Sequence, residues 1–453
     1  MPTIYSQTYF VFLFIMYGLL SACGAGGNAS NVDKTITLDD FIWPPVAGNA
    51  TAPFNSAFPF LQFIPTLDLT QLKTASQGRE FFIGRWTAAP GPRTLFDGLG
   101  PLSIASACAD CHLLSAGRAA SLQANGQIGV GLLFRLGDTQ GNLDPYYGGQ
   151  LQTAATIGLS EGQVSWSFND SDQPIFTLLT HGPALAQGIH LGPRLSPQLV
   201  GIGLLDLVPP EEILNLEDPD DQNADGISGR AHWLEVEGQL MLGRFGWKAM
   251  QPTLRHQSAG AMQQDMGLTT SINPTEPCTM QQTVCAEQPN GGTPEVSDNT
   301  LAAVNDFLTL LAVPERRVQN AQQFNQGADI FESIGCAHCH QPTLTTGQSK
   351  KYPLLSHQLI YAYTDLLLHD LGEALSDNVR EGDADPSEWR TPPLWGLGLV
   401  EAVPGSRFLH DGRAQTLEQA ILWHGGEALQ SQQKFKALTA AQQHILLAFL
   451  RAI

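Results

Sequence analysis

The sequence predicts a mainly α-helical protein of two domains, the first enlarged by insertions that carry short β-strands and hairpins. Three observations lead there. The pattern C-x-x-C-H occurs twice, far apart, as Cys108-Ala109-Asp110-Cys111-His112 and Cys336-Ala337-His338-Cys339-His340. Ahead of each lies a segment with an apolar pair shortly after a glycine, Gly78-Arg79-Glu80-Phe81-Phe82 and Gly327-Ala328-Asp329-Ile330-Phe331. Between the two motifs, residues 120–175 alternate apolar and polar side chains among glycines and Asn-Asp turns, the signature of hairpins rather than helices.

Residues 1–22 hold no charged side chain and run apolar from Tyr9 to Leu20. About a dozen apolar residues fall short of the roughly 20 that span a bilayer but suit the core of a secretory signal. The stretch ends in Leu20-Ser21-Ala22-Cys23-Gly24, which looks like a bacterial lipoprotein cleavage site with Cys23 as the lipid acceptor. Gly24, rather than Asp, after that cysteine implies sorting to the outer membrane. The chain from residue 24 on is then expected in the periplasm, with 23–60, rich in Gly, Asn, Ala, Pro and Thr, as a flexible tether.

In each C-x-x-C-H segment the two thiols are placed to add across the vinyl groups of one haem, leaving the adjacent histidine beneath the iron. Two covalently bound haem c groups are therefore expected, on Cys108, Cys111 and His112 and on Cys336, Cys339 and His340. Two cytochrome c-type domains follow, 61–315 and 316–453, divided after an amphipathic helix over 296–313 by Pro314-Glu315-Arg316-Arg317. Of the seven cysteines, Cys278 and Cys285 remain, and an oxidising compartment favours a local disulfide over two free thiols. The acidic run 217–229 contains D-x-N-x-D-G at Asp221, Asn223 and Asp225, the first half of a calcium loop, but His232 stands where the bidentate Glu belongs. A variant calcium site and a solvated acidic turn both fit.

No methionine follows the second motif, so the far ligand of haem 2 has to come from His357, His369, His410, His424 or His444. Thr416-Leu417-Glu418-Gln419 reads as a capping box, after which Leu417, Ala420, Ile421 and His424 fall on one helix face. His424 is thus the favoured ligand, and Gly425-Gly426 would let backbone approach the haem. Bis-histidine ligation makes a low-spin centre suited to passing electrons. For haem 1, either His181, His190 or His256 closes the far side, or the position is open, as peroxide or oxygen chemistry requires.

The blocks Tyr147-Gly148-Gly149-Gln150-Leu151-Gln152, Asp225-Gly226-Ile227-Ser228-Gly229-Arg230, Gly243-Arg244-Phe245-Gly246-Trp247-Lys248-Ala249, Tyr363-Thr364-Asp365-Leu366-Leu367-Leu368-His369-Asp370 and Glu388-Trp389-Arg390-Thr391-Pro392-Pro393-Leu394-Trp395 resemble the bacterial dihaem oxidoreductases, described as thiol oxidoreductases or peroxidases. The resemblance covers nearly the whole mature chain and extends distantly to dihaem cytochrome c peroxidases. It implies that His424 takes the place of the peroxidases' distal methionine, that Trp247 lies between the haems, and that Gln257 and Asp265 stand for the distal pair at the reactive iron. Asp265 is one methylene shorter than the relatives' Glu and sits at a shorter spacing from Gln257. The thiol chemistry in one of those names loses its basis once the motif cysteines are haem thioethers.

The 453 residues carry 23 Lys+Arg against 43 Asp+Glu, a net charge of −20. That charge repels phosphate backbones, which argues against nucleic acid as a partner, and favours a small basic redox protein. Three functional readings stand at this point: a peroxidase-like enzyme using peroxide or oxygen, with Asp265 as general acid/base, Gln257 assisting and Trp247 relaying electrons; a pure electron carrier; and an oxygenase acting on an apolar substrate.

Overall fold

The computed structural model describes residues 43–112, 128, 131–170 and 173–453. The signal segment, Cys23 and the first part of the tether lie outside the described residues. Helix makes up 31% and short two-stranded sheets 17% of the structure, so the fold is mixed rather than mainly α. The reason is that helices are confined to the frame around each haem motif, while the connections form two-stranded pairs or irregular segments.

The frame repeats. Leu69–Ile83, capped by Asp68 with Gln71 closing a capping box, packs on Asp298–Thr309. Ala321–Ser333, capped by Asn320, packs on Ala440–Ala452. The glycine of each haem segment marks the crossing point. A Cβ at Gly78 would lie 1.8 Å from the Ala303 carbonyl oxygen, and one at Gly327 would lie 2.4 Å from Phe449 Cβ. One turn on, Phe82 and Phe331 are buried, with ring centroids 6.2 and 6.4 Å from the His112 and His340 rings. The motif "glycine, then an apolar pair" is thus a device for close helix crossing that ends on the haem histidine.

The hairpin expected in the insertion is Gly162–Phe168 paired antiparallel with Pro174–Thr180, Trp166 opposite Phe176. Its inner face packs on a separate small core of Leu132, Phe134, Leu136, Tyr147, Leu151 and Leu195. Leu132–Gly137 does not form a local hairpin; it pairs with His190–Leu195, which brings Arg194 and Leu195 to the first haem motif. Residues 43–60 are not a flexible tether. Ala47 and Ala50 are fully buried, Phe60 is 1% exposed, and Thr51–Ala52 pairs in parallel with Val313–Pro314. Composition could not reveal this, because the pairing partner lies far along the chain.

One hydrophobic core runs through both halves, from Val46 to Ile453. Cys278 and Cys285 are joined in a disulfide at a sequence separation of 7. Replacing both by serine is expected to cost about 2 kcal/mol through loop-closure entropy, read as a lower midpoint in chemical denaturation. An unchanged midpoint would show that the bond constrains nothing in the unfolded chain.

Candidate functional site

Two cavities lie side by side, each walled by one C-x-x-C-H motif. Cys108, Cys111 and His112 line the first, and Cys336, Cys339 and His340 the second. In both, the motif histidine is held in one tautomer by a backbone carbonyl. His112 Nδ1 lies 3.0 Å from the Pro197 oxygen, and His340 Nδ1 lies 3.0 Å from the Tyr363 oxygen. Since a carbonyl only accepts, Nδ1 carries the proton and Nε2 keeps its lone pair for a metal. Burial pushes both imidazoles down to about 4, so both are neutral at physiological pH. Burial likewise pushes Cys108, Cys111 and Cys336 up to about 12, which removes the thiolate that thiol redox chemistry needs.

The second cavity holds the candidate for the facing ligand as well. Leu417, Ala420, Ile421 and His424, the predicted helix face, all line it. The helix itself ends at Leu422. His424 continues the turn, its Nδ1 donating to the Ala420 oxygen at 2.8 Å, which again leaves Nε2 free. His424 also acts electrostatically on His340. The glycines that follow serve another purpose than haem approach: a Cβ at Gly426, where φ is +52°, would strike the Asp370 oxygen at 2.2 Å. The rival histidines are occupied or remote. His357 and His444 are exposed. His410 is stacked on Trp389 at 3.7 Å. His369 is clamped, Nε2 2.8 Å from Asp365 and Nδ1 2.7 Å from Glu427. Burial works against the His369 charge, but Asp365, Cys339 and Glu427 hold its pKa well above the ordinary range. The sequence offered His369 only as one of five candidate ligands and gave no sign of the clamp.

The first cavity differs. Among the described residues His112 is the only histidine on its wall. His181 is exposed and bonded to Ser160, His190 is exposed at the start of its strand, and His256 is turned to Thr253 Oγ1 at 2.7 Å. Gln257 and Asp265 both line this cavity from the helix Leu254–Met266. Eight residues at 1.5 Å each separate them by about 12 Å along the axis, so they do not meet at one point. Asp265 is half-buried near the cysteines and accepts from Gln150 Nε2 at 2.9 Å. Burial raises its pKa despite that bond. Gln150, a residue of the Tyr147 block, is the partner that sequence reasoning did not single out.

Trp247 belongs to both cavities, as do Arg390, Pro392 and Pro393. Its Nε1 donates to the Leu195 oxygen at 2.7 Å, fixing the indole in the partition. The acidic loop is closed by turns on its own side chains. Asn223 Oδ1 accepts from the Asp225 amide at 2.8 Å, Asp225 Oδ1 from the Ile227 amide at 2.9 Å, and Asp221 from the Gly226 amide. The other Asp225 oxygen, Oδ2, lies 3.6 Å from His338 Nδ1, beside the second motif.

Residues 179–453 match the model of a family described as "Di-haem oxidoreductase, putative peroxidase". No curated protein matches the chain. Among solved structures, a hydrazine synthase from Kuenenia stuttgartiensis, studied under xenon pressure, aligns at 14% identity and a TM-score of 0.37, covering 95% of this chain and 100% of that one.

Proposed function

The chain belongs to the di-haem oxidoreductase family, and on that premise we propose that it is a peroxidase-like enzyme whose first cavity reacts and whose second relays electrons. The paired cysteines at 108/111 and 336/339 are consistent with c-type attachment of both haems. One observation carries the division of labour: of the four histidines that wall the second cavity, His369 is clamped and His410 is stacked on Trp389, which leaves His340 and His424 with Nε2 free, whereas among the described residues His112 is the only histidine in the first. A centre ligated on both sides stores and passes an electron, and one ligated on a single side admits a small molecule.

Haem supplies the oxidising equivalents and the electron store when bound. The protein's part is orientation and protons. Asp265, with Oδ1 held by Gln150 and its pKa raised by burial, keeps a proton near neutral pH more readily than an exposed carboxyl and offers it from Oδ2. Gln257 faces the same cavity near Gly246, two turns away, so it orients rather than shares that proton. Trp247 bridges the partition.

The test is half-reduced enzyme mixed with cyanide or hydrogen peroxide. The expected result is one high-spin haem that binds cyanide and loses its high-spin band with peroxide. Two low-spin, six-coordinate haems in every redox state would instead support the carrier reading. Met250, Met262 and Met266 on the first cavity wall give that reading its one specific basis. We further propose export, lipid anchoring through Cys23 at the outer membrane, and a small basic reductant. Reduction by such a partner should slow steeply as salt is raised, because the attraction rests on this chain's −20 charge.

A further inference from the structure

The wall between the cavities contains a cation without an anion. Arg390 is 7% exposed and lines both cavities. Its Nε donates to the Gly246 oxygen and its Nη1 to the Thr391 oxygen, both at 2.9 Å. Among the described residues Nη2 has no hydrogen-bond partner and no carboxylate lies within ion-pair distance of the guanidinium. Burial pulls its pKa down to about 10, with Asp365 the only carboxylate close enough to oppose that.

The other buried cations nearby are provided for. Arg194 pairs with both Asp377 and Glu381. Arg244 spends Nη1 on the Leu205, Asp206 and Val208 oxygens. Lys248 places all three ammonium protons on the Asp385, Pro386 and Glu388 oxygens, 2.7–3.1 Å away. An unpaired guanidinium in such a place is costly to keep charged unless an anion joins it. The anions that would enter both cavities together are the carboxylates of the groups that fill them.

We infer that Arg390 is a shared anion-binding residue, positioned between the two cavities to hold one propionate carboxylate from each haem. A guanidinium offers parallel N–H donors to more than one carboxylate, which an ammonium cannot match in geometry. The two haems would then meet through their propionate edges at Arg390 and Trp247, and a single charge would tune both. The inference rests on both cavities taking haem. It does not depend on which haem reacts with peroxide.

The experiment compares Arg390→Gln and Arg390→Lys with the unsubstituted holoprotein, each checked by mass for two attached haems, and reads both midpoint potentials by spectroelectrochemistry. Removing a positive charge beside a haem favours the ferric state. Arg390→Gln should therefore lower both midpoints, and Arg390→Lys should restore most of each shift while perturbing the coupling between the haems. Unmoved midpoints, or a shift of one haem alone, would overturn the shared site. Should Arg390→Gln fail to fold, redox-difference infrared spectra of the unsubstituted protein carrying carbon-13 propionates decide. Ionised carboxylate bands answering to reduction of each haem at mildly acidic pH are expected. A protonated carboxyl band from either haem in place of these would overturn the inference.

Discussion

Replacing His424 by glycine is expected to convert haem 2 completely from a six-coordinate low-spin centre to a five-coordinate high-spin one, leaving haem 1 unchanged. His424 and His340 wall the same cavity, each with Nδ1 committed to a carbonyl and Nε2 free. No other histidine can step in without breaking a buried arrangement: His369 would have to leave Asp365 and Glu427, and His410 would have to unstack from Trp389. Added imidazole should restore the low-spin spectrum, since it refills the space and the ligand together. His424→Met should instead give a low-spin centre with a raised potential, because a thioether favours the ferrous state. Electron paramagnetic resonance of the oxidised protein reads all three. Persistence of the original low-spin signal in His424→Gly would remove His424 from the iron.

How far the sequence could carry this varies with the range of the interaction. The haem cysteines and histidines were legible because the chemistry is local: two thiols and an imidazole within five residues. His424 was legible because a helix repeats its face, and Leu417, Ala420, Ile421 and His424 do share a wall. The disulfide was legible from its short span and lone pair. What failed depended on distant partners. Thr51–Ala52 reads as linker until Val313–Pro314 lies beside it, and Leu132–Gly137 finds its partner at His190–Leu195. The catalytic pair taken from resemblance, Gln257 and Asp265, shares a helix and a cavity, but only the three-dimensional structure shows two turns between them and Gln150 on the acid. Arg390 stood in a quoted block with no role, since its lack of a counter-charge is a property of everything packed around it.

Arg194→Met should be the most destabilising single change, by roughly 3–5 kcal/mol at neutral pH, the usual cost of stripping one partner from a buried ion pair. Arg194 joins the His190–Leu195 strand of the first half to Asp377 and Glu381 of the second, and lies over the Trp389 ring at 4.8 Å. Its side chain is 6% exposed and that of Asp377 2%. Methionine keeps much of the apolar volume, so the loss comes chiefly from two carboxylates left in a poorly solvated place. The pH dependence separates charge from packing. Burial alone would raise the Glu381 pKa, but Arg194, helped by Arg135, overrides it and holds the carboxyl down at about 2, against an ordinary value of 4.5. A carboxyl depressed in the folded state contributes stability that is present above 4.5 and is lost as pH falls toward 2. In Arg194→Met the largest of the depressing influences is gone. Burial is then opposed only by Arg135 and Lys248, so the Glu381 carboxylate contributes less stability at neutral pH and the variant loses less of it as pH falls. The gap between the two proteins, measured by denaturant unfolding from pH 7 downward, should therefore be widest at neutral pH and shrink on acidification. A gap of constant size over that range would mean that lost packing over Trp389, and not the unpaired carboxylates, sets the cost.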